Sequence, residues 1–326
     1  MVPNIHINFD DERNSFLALS SIKGVGYWSL YRYAAEGKRF TPLLDDSLEN
    51  KSHLEEALKI RISLTADIDW VSYLNELKLK AQQELNNLAK LGVRIIFNGE
   101  PNFPENLITI PDAPQWIFVQ GNLALLNRNS IGIVGTRSPS KDGEFLAKYA
   151  VASLAKLDFP TISGLASGID QIVHQESIRY GIPTIAILGT GIYTNYPAGS
   201  ESLRSSIISS GGAILTEYLP HQRYSSENFI RRNRLQAALS RALMPIEWQI
   251  KSGTAHTVNF ADKYGKKIIN IYLPKTYELR PELAYSEQNY SAVSYLVPNN
   301  KELVVEVVRA VTAPKKNIPM QVILDI

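Results

Sequence analysis

The sequence predicts an α/β fold, a doubly wound and mostly parallel sheet preceded by a helical N-terminal region. Three observations carry that reading. From about residue 129, short apolar runs alternate with stretches of helical period: IGIVG (131–135), FPTISG (159–164), PTIAILG (183–189), GAILTEY (212–218), ALMPIEW (242–248) and KIINIYL (267–273). Most of these runs are continuously apolar, as strands covered on both faces are. Glycines and small polar residues gather just after the runs, where right-handed crossovers bring loops together at the C-terminal edge of a parallel sheet.

Taken in order, residues 1–70 read as helical and slightly acidic, with 11 Asp and Glu against 8 Lys and Arg, a net of −3. Within them Gly24-Val25-Gly26 separates two helical patterns. Two readings fit it: a helix-hairpin-helix turn whose backbone N–H groups meet a DNA phosphate, or a plain helix–helix turn with Val25 and Trp28 in the core. Residues 71–91 form a long amphipathic pattern in which Leu74, Leu77, Leu79, Ala81, Leu85, Leu88 and Leu91 are separated by charge. Gly92 ends it in the left-handed position after the cap. A strand VRIIF (93–97), a turn at Asn98-Gly99, a proline-rich link through Pro114 and a strand WIFVQG (116–121) follow. In the alternating region, helices run to about 156 and to about 180. The expected division is a helical domain over 1–70, a sheet-bearing core over 71–313 and a short tail, 314–326. There is no internal repeat and no low-complexity tract.

Composition sets the outer bounds. At 326 residues the chain has room for about two domains of ~150 residues. It is 44% hydrophobic and 20% charged, with a formal net charge of +2, so bulk charge does not announce a nucleic acid and a local patch would have to. With no cysteine, disulfides, thiol catalysis and cysteine metal sites are excluded, and a reducing compartment is compatible. The polar, acidic start MVPNIHINFDDERN reads as neither signal peptide nor anchor, and no apolar run is long enough to span a bilayer. The expectation is a cytoplasmic chain without membrane contact.

The most informative stretch is IGIVGTRSPSKDG (131–143), a strand, a turn and a helix start. Gly135 leaves the backbone free to approach a ligand, Thr136 and Ser138 offer hydroxyls, Ser140 or Asp142 can cap the helix, and Arg137 sets a permanent charge at its mouth. A helix N-terminus behind such a turn favours anions. The glycines do not fit G-x-G-x-x-G, and the Walker A spacing and lysine are missing. The other reading is a tight turn with an ordinary surface arginine.

Further loops are expected to face the same crevice: Ser163-Gly164-Leu165-Ala166-Ser167-Gly168-Ile169-Asp170, Gly189-Thr190-Gly191, Glu217, and Glu247 with Ser252-Gly253-Thr254. Tight packing between helices and strands also selects glycine, so that alternative stands beside the first. Residues 221–241 carry five arginines and one acid, Glu227, a local net of +4. Arg231, Arg232 and Arg234 suit phosphates, guanidinium planes stack on bases, and Phe229 and Tyr224 offer ring faces. One of these arginines is expected to pair with Glu217 or Glu247 and another to meet a ligand. His174, four residues after Asp170, can pair with it on one helix face. Histidines 6, 53, 174, 221 and 256 show no metal spacing, and no nucleophile elbow or Ser-His-Asp arrangement is present, so neither metal, cofactor nor catalysis is expected.

Taken together, these pieces resemble the DNA-processing protein A family (DprA, also called Smf). They come in the family's order: PNFPENLITIPDAPQWIFVQGN (101–122), VGTRSPSKDG (134–143), SGLASGIDQIVH (163–174), AILGTGIYTNYP (186–197), SGGAILTEY (210–218), NFIRRNRLQAALS (228–240), SGTAHTV (252–258) and, weakly, QNYSAVSYLV (288–297). The resemblance implies an extended Rossmann-like core that binds single-stranded DNA, forms a homodimer and loads the RecA recombinase during natural transformation. It implies DNA contacts by Arg137, Arg231, Arg232, Asn233 and Arg234 with Thr136 and Ser138, in a pocket shaped by Gly135, Ser163, Gly164 and Gly168.

This chain departs from the family pattern at three places. Ser167 stands where the family has arginine in SGLARGID, Ala198 follows Tyr196-Pro197 where a lysine is usual, and MPIEWQ keeps only Glu247 of the usual V-V-E-A. The first two remove positive charge. A second function class therefore stays open, a nucleotide sensor or nucleoside-monophosphate enzyme. Related phosphoribohydrolases carry P-G-G-x-G-T-x-x-E, whereas SGTAHTV has no glutamate three residues after the threonine.

Overall fold

The computed structural model describes residues 8–46, 51–63, 69–298 and 301–314; of the expected tail, 315–326 lie outside them. The chain forms two units. The first runs to Glu100 and includes Pro114–Phe118 and Glu217–Leu219; the second holds Pro101–Ala113, Val119–Thr216 and the chain from Pro220.

The first unit contains α1 (Phe9–Ser20), α2 (Tyr27–Ala35), α3 (Phe40–Asp46), α4 (Lys51–Leu58), α5 (Trp70–Lys90), β1 (Val93–Phe97) and the start of β2 (Trp116–Gly121). Short polar side chains fix two helix starts: Asn8 accepts from the Asp10 N–H at 3.1 Å and Asp69 from the Ser72 N–H at 2.9 Å. Such caps satisfy donors that have no partner inside the helix. α3 is capped from a distance. The buried Glu12 carboxylate accepts from the Phe40 and Thr41 N–H groups at 2.9 and 3.0 Å. Phe16 anchors the core, its ring 5.2 Å from Phe40, 5.5 Å from Phe97 and 4.7 Å from Trp116.

At the Gly24-Val25-Gly26 turn Val25 is buried, but Trp28 is 44% exposed, contrary to the expectation that both enter the core. The buried face of α2 is Tyr27, Leu30 and Tyr33, and Trp28 lies one residue off that stripe. In α5 the inward face is Leu74, Leu77, Ala81 and Leu88, while Leu79 and Leu91 are exposed.

The second unit contains α6 (Glu105–Ile108), the end of β2, β3 (Ser130–Gly135), α7 (Lys141–Leu154), β4 (Thr161–Ser163), α8 (Ile169–Arg179), β5 (Thr184–Ile187), α9 (Glu201–Ser209), β6 (Ala213–Thr216), α10 (Ser226–Leu239), β7 (Ser240–Ile246), α11 (Gly253–Lys263), β8 (Lys267–Tyr272), α12 (Pro281–Tyr290), β9 (Val293–Leu296) and α13 (Lys301–Thr312). Its strands lie in the order β6-β5-β4-β3-β7-β8-β9, and every neighbouring pair is parallel. The doubly wound sheet expected from the apolar runs is thus present. The order reverses at β3, which has β4 on one side and β7, in register Ile133↔Met244, on the other. Such a reversal splits the loops above the strand ends and leaves a crevice. One core packs Ile131, Ile133, Met244 and Ile269 of the sheet against Leu146 and Ala150 of α7, Val173 of α8, and Leu303, Val307 and Val311 of α13.

Candidate nucleic-acid interface

A cavity of about 600 Å³ opens at the β3/β7 reversal. Gly135, Thr136 and Arg137 after β3, Ala166 and Asp170 around the start of α8, Phe229, Arg232 and Asn233 of α10, Trp248 after β7, and Gly253 and Thr254 of α11 all line it. The sequence-predicted loops after β3, β4 and β7 therefore do converge. The Gly189-Thr190-Gly191 loop contributes packing instead: a Cβ on Gly189 would collide with the Phe229 ring. Glu217 belongs to the first unit, where it accepts a hydrogen bond from Tyr27 Oη at 2.6 Å.

At the N-terminus of α7, where anion binding is expected, two of the N–H groups are already engaged within the protein. Ser140 caps the helix, accepting from the Gly143 N–H at 3.1 Å, and the Glu247 carboxylate accepts from the Ser140 N–H at 2.8 Å. An internal carboxylate thus occupies the positive end of this helix. Glu247 reaches it from a left-handed backbone position, φ 44°. Gly143 leaves the room, since a Cβ there would run into that carboxylate.

The glycines of the site are set by packing. A Cβ on Gly135 would lie 2.7 Å from Ile169 Cγ1 and against the Ile246 carbonyl, so its small size serves strand–helix contact. Gly164 admits the Arg232 guanidinium, whose Cζ would be 2.6 Å from a Cβ there. Gly168 has φ 81°, and a Cβ on it would be 2.5 Å from the Thr136 carbonyl oxygen. Beside it the Ile169 N–H donates to that carbonyl at 3.1 Å, which clamps the turn carrying Arg137 onto the start of α8.

The four arginine-segment residues divide. Arg234 is 0% exposed and pairs with Asp112 at 2.7 Å; Arg231 reaches the same carboxylate at 3.4 Å. Asp112, an aspartate of the proline-rich link, is thus an acidic partner of this segment that the sequence did not suggest. Arg232, also buried, donates to the Gly164 carbonyl at 2.7 Å and to the Ile187 carbonyl, tying α10 to the ends of β4 and β5. Asn233 donates to the Gly253 carbonyl at 3.0 Å and fixes the start of α11.

Ser163 is buried and donates to the Ile133 carbonyl at 2.7 Å, while Ser138 and Arg137 are exposed. Asp170 accepts from the Gly164 N–H at 3.0 Å. Burial pushes its carboxyl up, opposed by Arg232 and by the hydrogen bond from Gly164. His174 turns to Thr184 Oγ1 at 2.8 Å rather than to Asp170, and burial, reinforced by Arg232, lowers it to about 3.

What remains open to a ligand is the mouth. Arg137 lies 5.4 Å and Arg232 5.9 Å from the centre of the Phe229 ring. Tyr196 stands 4.9 Å from Phe229 and 4.6 Å from Tyr224, which is 58% exposed. Arg137 has no ion-pair partner among the described residues. The result is an unneutralised guanidinium beside the Phe229 ring, which stands in a cluster with Tyr196 and Tyr224. Sequence reasoning named Arg137, Phe229 and Tyr224; it missed Tyr196, Trp248 and Asp112 as parts of the site.

Comparison with known proteins fixes the lineage. Residues 94–295 match the family of DNA recombination-mediator protein A. The chain belongs to that family. Protein Smf of Synechocystis sp. is 30% identical over 275 residues, 80% of this chain and 65% of that protein. The DNA processing protein DprA of Streptococcus pneumoniae is 33% identical over 169 residues, 52% of this chain and 59% of that one. The matches thus span less than two thirds of these relatives' lengths. In fold, DprA of S. pneumoniae superposes with a TM-score of 0.63 at 23% identity, covering 90% of this chain and 97% of that one. DNA processing protein A of Helicobacter pylori, whose structure concerns that protein's single-stranded DNA binding mode, gives 0.57 at 23%, covering 67% and 96%. Both likenesses show the extended Rossmann-like architecture shared by the three chains. Among the described residues no helix is long and apolar enough to cross a membrane.

Proposed function

We propose that this protein binds single-stranded DNA at the mouth of the β3/β7 crevice and passes it to a RecA-type recombinase, without chemistry of its own. The observation that carries the reading is the exposed Arg137 beside Phe229, whose ring clusters with those of Tyr196 and Tyr224. Unpaired bases stack on ring and guanidinium faces, at about 1–3 kcal/mol each, and a duplex hides those faces. Membership of a recombination-mediator family and the single-strand binding described for the H. pylori protein support it. The buried carboxylate nearest the crevice, Asp170, is held by the Gly164 N–H, which speaks for a structural role. The test is fluorescence anisotropy with labelled single strands and duplexes titrated against salt. Preference for the single strand is expected, and equal affinity for both overturns the reading.

The same reading includes a homodimer formed through the second unit, as the family resemblance implies. Light scattering at tens of micromolar, roughly where a modest interface assembles, should give twice the chain mass. Transfer to the recombinase is read from RecA filament growth on DNA covered by a single-strand-binding protein. Acceleration by this protein is expected.

A further inference from the structure

The loop after β5 carries more than the glycine that packs on Phe229. From Gly191 to Tyr196 it lies against residues 220–224, the approach to α10. The Gly191 N–H donates to the Gln222 carbonyl at 2.8 Å and the Tyr193 N–H to the Pro220 carbonyl at 3.0 Å. The Thr194 hydroxyl donates to the Gln222 carbonyl at 3.2 Å. Arg204 of α9, only 9% exposed, holds the same loop. Its guanidinium donates to the Ile192 carbonyl at 2.7 Å, to the Thr194 carbonyl at 3.3 Å and to Asn195 Oδ1 at 2.7 Å. Two segments tied in this way make a fixed shelf, and fixed groups lose little freedom when a ligand arrives.

Two ring pairs stand on the shelf. Tyr196 and Tyr224 form the one at the crevice mouth, 4.6 Å apart. Tyr193 and His221 form the other, with ring centres 4.7 Å apart and planes at 34°. His221 and Arg223 are exposed. Tyr193 precedes Tyr196 by three residues, as His221 precedes Tyr224, so the second pair adjoins the first. Three residues reach at most ~10 Å, which a stacked strand covers in about three nucleotides at ~3.4 Å each. Charge agrees with that occupant. Residues 188–200 and 218–226 contain no Asp or Glu, while Arg223 adds a permanent positive charge. An exposed ring stacks on any base, and a neighbouring guanidinium pairs with phosphate.

Resting on the single-strand reading above, we propose that the strand leaving the crevice continues over this shelf, with one base stacked on His221 and one phosphate on Arg223. Tyr193 backs the His221 ring. The site then has two steps, the mouth with Arg137 and the shelf beyond it, and its length is set by both.

The experiment is fluorescence anisotropy with labelled oligothymidylates of 3 to about 18 nucleotides, a range that runs from one step to well past both. Short strands should bind the wild-type protein and His221→Ala alike. Beyond the length that reaches the shelf, His221→Ala should bind about tenfold more weakly, in the range for one stacked base. His221→Phe keeps a ring and should bind every length as the wild type does. Arg223→Ala should make the salt slope shallower by ~0.7, on long strands only. Melting curves check the fold, and if His221→Ala melts early, the Arg223→Ala slopes decide. Variants that match the wild type at every length overturn the proposal, as does a loss that is equal at every length or that His221→Phe does not rescue. In each of those cases the wild-type protein still binds single strands and the reading of the crevice stands. If no strand binds the wild-type protein, both fall.

Discussion

At the residue scale, the arginines of the family motifs do different work, and burial decides which. Arg137 is exposed and has only ring contacts, so its loss should affect ligand and not fold. Arg137→Ala should weaken single-strand binding and make the slope of log affinity against log salt shallower by ~0.7, one phosphate contact. The melting midpoint should stay in place. Unchanged affinity and slope would remove Arg137 from the interface. Arg234 is the opposite case, fully buried against Asp112. Breaking a buried pair typically costs ~3–5 kcal/mol. Because the Asp112 side chain is 39% exposed, Arg234→Met should sit near or below the lower end, about 2–3 kcal/mol in denaturant unfolding. The salt slope of DNA binding should hardly move. Arg137 was legible in the sequence because a charged residue directly after an apolar strand points to a strand end. The pairing of Arg234 was not: Asp112 lies over a hundred positions upstream in a link that reads as a connector, and only the fold brings the two together. For the same reason, the carboxylate that fills the start of α7 appears in sequence as a lone glutamate after another strand.

At the element scale, strands were easier to read than helices. Most of β3 to β8 lie in largely apolar runs because they are covered on both faces, and that pattern survives without knowledge of their neighbours. β9 is only half-buried and loses the signal. α10 escapes for a different reason. It buries Arg232, Asn233, Arg234 and Gln236 together with Leu235, Ala237, Ala238 and Leu239, so polar residues interrupt any apolar period. α8 carries a buried polar network of the same kind, and this one responds to pH. His174 is held at about 3 in the fold against an ordinary 6.5. The unfolded chain therefore takes up a proton that the folded chain refuses. The contribution of neutral His174 is whole above about 6.5 and shrinks as pH falls toward about 3, by up to ~1.4 kcal/mol per pH unit. Asp170, raised by burial, acts in the opposite sense: its contribution is whole at low pH and lost as pH rises through its folded value. The comparison that isolates the histidine is wild type against His174→Gln, by denaturant unfolding from pH 7 to 4. The wild-type stability should fall more steeply, and parallel curves would show that His174 does not titrate as buried.

At the scale of the whole molecule, the division read from composition and the division made by contacts answer different questions. Composition changes near residue 70, where the acidic helical region gives way to the long helix and the first strand. Packing follows apolar faces instead. The inward side of α5, with Leu74, Leu77 and Ala81, lies in the same unit as α1, and the Asn14 side chain donates to the Lys78 carbonyl at 3.3 Å. Phe16 and Phe40 supply the rings against which Phe97 and Trp116 pack. A chain started at Val71 would keep α5, β1 and β2 but lose every one of those partners from α1 and α3. Uncovering large aromatic and leucine side chains costs about 1.5–3 kcal/mol for each one fully exposed, a large fraction of the 5–15 kcal/mol that holds a domain together. The expected outcome is that residues 71–314, expressed alone, aggregate or are cut rapidly by protease within 71–121, while the intact chain resists. A soluble, cooperatively melting 71–314 fragment that binds single strands as the full chain does would show that the boundary read from composition is the physical one.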